Sequence, residues 1–142
     1  MNNKNRFAFV FLVLLFSICL IGCNSGLKKL SGRVTYADNN EPLETGIVCF
    51  VNGSTFARGI IEADGKYTAG SFTENDGLPP GTYQVFVDAA KKSLGKKTPD
   101  ADDFEYQQLI DPKFSRPETS GLTFVVKDST NQFDFKVDRY SQ

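Results

Sequence analysis

At 142 residues the chain has room for one domain and a targeting segment but not for a second core. Its 16 basic residues are balanced by 17 acidic ones, so it lacks the concentrated positive charge that draws proteins to phosphate backbones, and nucleic acid is not an expected partner. It contains no His, which removes the commonest metal ligand and the side chain readiest to exchange protons near neutral pH, and this weighs against most hydrolase mechanisms.

Lys4 and Arg6 form a short positive stretch ahead of Phe7 to Ile21, an apolar run broken only by Ser17. This is the order of a secretory signal. As a helix the run would rise about 22 Å, short of the roughly 30 Å hydrocarbon layer of a bilayer, so a removable signal fits better than a spanning helix. The run ends in Leu20-Ile21-Gly22-Cys23, which resembles the lipobox of bacterial lipoproteins, where a small residue precedes the Cys whose thiol receives diacylglycerol. The resemblance implies a signal peptide over residues 1–22, lipidation at Cys23 and a lipidated tether over residues 23–29. The mature chain would then carry 14 basic and 17 acidic residues, a net charge of −3. One acyl chain holds only marginally at about 0.8 kcal/mol per buried CH₂, so the two or three chains of such a lipoprotein make a durable anchor.

The expected location is therefore the bacterial cell envelope, with the domain close to a membrane. Asn24 stands where some Gram-negative bacteria use Asp for inner-membrane retention, which favours the outer membrane. Lys28 and Lys29 in the tether either touch anionic headgroups or stay solvated. Cys19 lies inside the leader and Cys23 at its end, so Cys49 alone belongs to the folded body. No internal disulfide is available once Cys23 is lipidated. Stability must come from the core, which about 115 residues of mostly β pattern suffice to build.

From Leu30 onward the dominant period is two. Leu30, Gly32, Val34 and Tyr36 alternate with Ser31, Arg33 and Thr35, and near the C-terminus Phe133, Phe135 and Val137 alternate with Asp134 and Lys136. Between these two half-buried strands the pattern predicts five more: Gly46 to Val51, Ala57 to Ala63, Lys66 to Ser71, Thr82 to Ala89 and Leu122 to Lys127. The breaks carry turn residues, among them Asn52-Gly53, Asp64-Gly65, Asp76-Gly77 and Pro79-Pro80-Gly81. Asp64-Gly65 is the strongest hairpin signal, since both residues tolerate positive φ. No helical window is long enough to cover a sheet, so two sheets must cover each other in a single domain over residues 30–138.

Ser31-Gly32-Arg33-Val34, Glu41-Pro42-Leu43, Val48-Cys49-Phe50, Asp64-Gly65-Lys66-Tyr67, Pro80-Gly81-Thr82-Tyr83-Gln84-Val85-Phe86-Val87 and the stretch from Leu109 to Val137 resemble the carboxypeptidase regulatory-like, or transthyretin-like, domains of short bacterial lipoproteins. The resemblance implies an all-β, seven-stranded, Greek-key, prealbumin-like β-sandwich. It implies no agreed catalytic function. Some related adhesin domains join first and last strands by Lys-Asn isopeptide bonds, and Lys29 and Asn131 lie near the corresponding ends, though at strand edges rather than in a core.

No enzyme, cofactor or metal site is expected. Asp100, Asp102, Asp103 and Glu105 cluster, but without the central turn Gly and closing bidentate Glu of a calcium loop, and read as solvated. No motif sets a Ser beside a Lys as an activated nucleophile. Tyr83, directly after Pro80-Gly81-Thr82, reads as a structural tyrosine corner.

If Val48 and Phe50 face the core, then Ile47, Cys49 and Val51 face outward, and so do Phe86 and Val125. An apolar outer face needs a cover or a partner. The expected cover is the long loop from Ala90 to Ser120, with a short helix begun by Thr98 as N-cap and Pro99 at the first helical position. Phe104, Tyr106, Phe114 and Arg116 are the candidate ligand or partner contacts in this loop. Among them Phe114 leans structural, while Tyr106 suits recognition because its ring buries one end and hydrogen-bonds with the other. The expected function is a non-catalytic interaction module on the envelope, held to the membrane by its lipid anchor and binding an envelope protein or glycan. The alternative is a structural coat or spacer lipoprotein without a specific ligand.

Overall fold

The computed structural model describes residues 26–96, 98, 103–129 and 131–141. The expected signal peptide and Cys23 lie outside them. Ten strands form among the described residues: β1 Leu30–Tyr36, β2 Ile47–Asn52, β3 Thr55–Ile60, β4 Lys66–Thr68, β5 Gly81–Asp88, β6 Lys91–Lys96, β7 Phe104–Gln108, β8 Leu122–Val126, β9 Asn131–Gln132 and β10 Phe135–Val137. One sheet runs β10-β1-β4, with β9 also paired to β1. The other runs β3-β2-β5-β8, and β6 and β7 pair separately. The two larger sheets face each other over one core and make an all-β sandwich.

The alternation read from β1 fixes which of its side chains enter that core. Leu30, Val34 and Tyr36 are buried while Ser31 and Arg33 are exposed. On the opposing sheet Val48, Phe50, Val85 and Val87 are fully buried. Phe50 spans the layers, its ring centroid 6.1 Å from Tyr67 and 6.5 Å from Tyr83. The Tyr83 hydroxyl donates to the Pro79 carbonyl at 2.9 Å, which is the expected corner.

Each of the seven expected segments holds a strand, but the strands number ten for two reasons. The C-terminal segment is broken at Phe133 and Asp134. There the Arg33 N–H donates to the Asp134 carboxylate at 2.9 Å instead of to a backbone carbonyl, while the Phe133 carbonyl accepts the Tyr67 hydroxyl at 2.7 Å. β9 and β10 flank the break, both parallel to β1. The second reason is that the expected long loop contains the β6–β7 hairpin.

Asp64-Gly65 makes a turn, with Gly65 at φ 83°, but not a regular hairpin. β3 and β4 belong to different sheets, and the bridge between Arg58 of β3 and Gly70 is made two residues beyond the end of β4. The regular two-residue hairpin is instead at Gly53-Ser54, closing the β2–β3 ladder at the Asn52–Thr55 pair.

The expected helix at Thr98-Pro99 is also corrected. Pro99 lies outside the described residues, and Phe104–Gln108, which that helix would have entered, is strand β7. Helical structure among the described residues is one 3-10 turn, Pro112–Ser115, capped by the Asp111 carboxylate on the Lys113 N–H at 2.9 Å.

Candidate functional site

The four candidate contacts separate by burial. Phe114 is 7% exposed and joins the main core with Ile110 and Ala90, so it is a structural residue and not a contact. Phe104 and Tyr106 are 49% and 51% exposed, and both stand on β7. Arg116 is exposed and sits at the end of the 3-10 turn, where its carbonyl accepts the Ser120 N–H at 3.0 Å.

The β6–β7 hairpin differs from every other strand pair. All its described residues are exposed except the half-buried Gly95. In its ladder Ser93 stands opposite Tyr106 and Lys96 opposite Phe104, with a register shift between Ser93 and Gly95. Alternation then puts Phe104, Tyr106 and Gln108 on one face of β7 and Glu105 and Gln107 on the other. The Lys91 ammonium lies 4.4 Å from the Tyr106 ring centroid on the first face, and Leu94 beside the irregularity is 58% exposed. A two-stranded ribbon with no covering layer is marginal by itself. This one depends on its root and leaves two aromatic rings and several lysines to the solvent.

The root is firmly built. Leu109 donates to the Ala90 carbonyl at 3.0 Å, Tyr140 to Leu109 at 3.1 Å and Asp111 to Asp138 at 2.9 Å. Ile110 and Phe114 plug the end of the sandwich beside these bonds. Next to them the Arg139 guanidinium stacks 3.6 Å from the Tyr36 ring centroid, and it donates to Asp38 at 2.9 Å and Glu41 at 2.8 Å. That clamp engages Arg139 and Glu41, two of the four charged residues lining the shallow depression formed with Tyr36, Pro42, Glu44, Lys92 and Leu109, and ties the depression to the root of the hairpin.

Ile110 and Phe114 are drawn into the end of the core, and the expected cover does not extend over the whole outer sheet face: Cys49 is buried and Ile47, Val51 and Phe86 are half-buried, but Val125 is not covered. Val125 is 49% exposed, and Phe56 and Ile60 on the same face are 50% and 64% exposed. Cys49 does lie outside the main core cluster, as alternation implies, yet it is 3% exposed. Its register partners Arg58 and Phe86 flank it. Burial pushes its thiol up to about 11, with the Asp88 charge adding to the shift.

Other sequence candidates are accounted for locally. Asp100 and Asp102 lie outside the described residues, and among the described ones no group of three or more Cys, Asp or Glu is placed to hold a metal. The Asn131 amide is buried and donates to the Lys127 and Ser129 carbonyls at 3.1 and 2.6 Å, while the Lys29 ammonium donates to the Asn75 carbonyl at 2.5 Å. Asn131 also bonds the Lys29 backbone carbonyl, through its backbone N–H at 3.1 Å and its side-chain amide at 3.5 Å, but the Lys29 ammonium is directed to Asn75 and not to the Asn131 side chain. Among the described residues every buried side-chain nitrogen and oxygen has a hydrogen-bond partner.

No family model matches this chain. No curated protein matches it either. Among solved structures it is similar to the major pilin subunit of Bacillus cereus, with a TM-score of 0.45 and 10% identity over 81% of this chain and 30% of that one. It is also similar to a 9R-lipoxygenase from Cyanothece PCC8801, with a TM-score of 0.34 and 14% identity over 79% of this chain and 16% of that one. The chain thus spans less than a third of either protein's length.

Proposed function

We propose that the chain is an envelope lipoprotein, processed at Cys23, that displays a non-catalytic β-sandwich whose β6–β7 hairpin recognises an envelope protein or glycan. We read the sandwich as a carboxypeptidase regulatory-like, prealbumin-type Greek key in which the hairpin is an insertion and β9–β10 a broken seventh strand. The lipobox and the short apolar leader support the anchor.

The observation that carries the recognition reading is the placement of the hairpin. Lys28, two residues before β1, leads back toward Cys23, while the root at Leu109 and Tyr140 lies beyond the other end of β1, next to Tyr36. At about 3.3 Å per residue the two ends of β1 are roughly 20 Å apart. An anchor at one end therefore presents Phe104 and Tyr106 at the other. Exposed aromatics on a ribbon rooted in a rigid body lose little conformational entropy on binding.

The test is photocrosslinking in cells from a reactive residue at Gln108, on the Tyr106 face, with Gln132 as the control position. The proposal expects a discrete adduct from Gln108 alone, abolished by Phe104→Ala with Tyr106→Ala. Equal or absent adducts at both positions would overturn it and favour the coat or spacer reading.

A further inference from the structure

Phe72 is the most exposed of the large hydrophobic residues described, at 84%, and the loop that holds it is tightly built. The Asp76 carboxylate accepts the N–H groups of Ser71 at 2.7 Å, Phe72 at 3.2 Å and Thr73 at 3.0 Å. The Ser71 hydroxyl donates to the Gly77 carbonyl at 2.9 Å. Gly70 lets the loop close, because a Cβ there would overlap the Thr73 carbonyl. A loop so closed holds Phe72 outward at little entropic cost. Phe56 lines the same groove, together with Arg58, Glu62 and Glu74.

The chain enters the body beside this loop. Lys28 and Leu78 exchange backbone hydrogen bonds of 2.7 and 3.0 Å, and the Lys29 ammonium reaches the Asn75 carbonyl. Lys28 is five positions along the chain from Cys23, a reach of at most about 18 Å.

We propose that this end of the sandwich rests on the bilayer that carries the lipid anchor, with Phe72 entering the boundary between headgroups and acyl chains and Phe56 beside it. The inference rests on the lipoprotein reading. A tether this short keeps the loop at the membrane surface, so the aromatic contact is effectively intramolecular and needs little affinity of its own. Aromatic rings favour the interfacial depth. The charges lining the groove are of both signs, so apolar contact dominates and anionic lipid is not required.

The chain contains no Trp, so Phe72→Trp introduces a single fluorescent reporter at a position too exposed to disturb folding. Full-length lipidated protein is placed in phosphatidylcholine vesicles with and without lipids brominated on the upper acyl chain, and the mass at Cys23 is read on the same sample. The Phe72→Trp reporter should be blue-shifted and lose most of its emission to brominated lipid, while a Tyr106→Trp reporter should emit as in water. A lipidated protein whose Phe72→Trp reporter emits as in water overturns this inference and leaves the anchor standing. Absence of the lipid mass overturns both. A blue shift that grows with protein concentration and ignores brominated lipid assigns the face to a second copy of the chain and overturns the membrane contact.

Discussion

The Tyr67 hydroxyl reaches the Phe133 carbonyl at 2.7 Å through space that Gly32 leaves empty, since a Cβ on Gly32 would overlap that carbonyl. The bond joins β4 to the break between β9 and β10, across β1. Gly32→Ala should therefore destabilise the domain by about 3 kcal/mol, the upper end of ordinary overpacking, because backbone rather than a side chain must move. Tyr67→Phe should cost roughly 1–2 kcal/mol by leaving the carbonyl without its partner. Urea unfolding of the fragment from Ser25 to Gln142 measures both.

Cys49 should react slowly with iodoacetamide at pH 8 in the folded domain and rapidly in urea, since the thiolate is the nucleophile and burial holds the thiol protonated. Its raised value also has a stability consequence. The unfolded thiol ionises from about 9 and the folded one only near 11, so its contribution is complete below pH 9 and declines as pH rises from 9 to 11. Burial also raises the Tyr36, Tyr67 and Tyr83 hydroxyls, so stability should fall over that window in both proteins, and the fall should be shallower in Cys49→Ala than in the parent.

Asp76 should govern the order of the Phe72 loop. Burial alone would raise its carboxyl value, but the amides of Thr73, Ser71 and Phe72 and the Thr73 hydroxyl together hold it below the ordinary carboxylate range. The folded value is depressed, so the stabilisation is present above the unfolded value near 4 and is lost as pH falls through the folded one. Asp76→Ala should speed hydrogen exchange at Ser71, Phe72 and Thr73 at neutral pH, and acid should produce the same change in the parent.

Phe114 and the hairpin aromatics should part company on mutation. Phe114→Ala should cost about 3–5 kcal/mol, as for other buried aromatics. Phe104→Ala and Tyr106→Ala should change stability by no more than about 0.5 kcal/mol yet reduce crosslinking at the hairpin. Denaturant midpoints and adduct yields on the same variants give the comparison.

These residues show why the fold was easier to read than the site. Period two located Leu30, Val34, Phe50, Val85 and Val137 in the core because burial on one face of a strand imposes that period directly. Tyr83 was legible from its place after a Pro-Gly turn. The hairpin was harder, because Phe104, Tyr106 and Gln108 alternate over only five residues and their partner strand, Lys91 to Lys96, has Leu94 as its one apolar side chain and so no alternation. Their strand state comes from pairing with each other. Phe72 carried no periodic signal, because a loop organised by the Asp76 side chain follows neither strand nor helix spacing. The supposed cover over Val125 failed for a topological reason: Ile110 and Phe114 close the end of the core, and bonding to Arg139 and Asp138 holds that segment at the end of β1.

The account depends on an anchor at Cys23, and metabolic labelling with a radioactive fatty acid tests it most directly. The parent protein should incorporate label and run at the size expected for cleavage before Cys23, while Cys23→Ser should remain unlabelled and unprocessed. Label persisting in Cys23→Ser, or a parent protein that never acquires any, would contradict it.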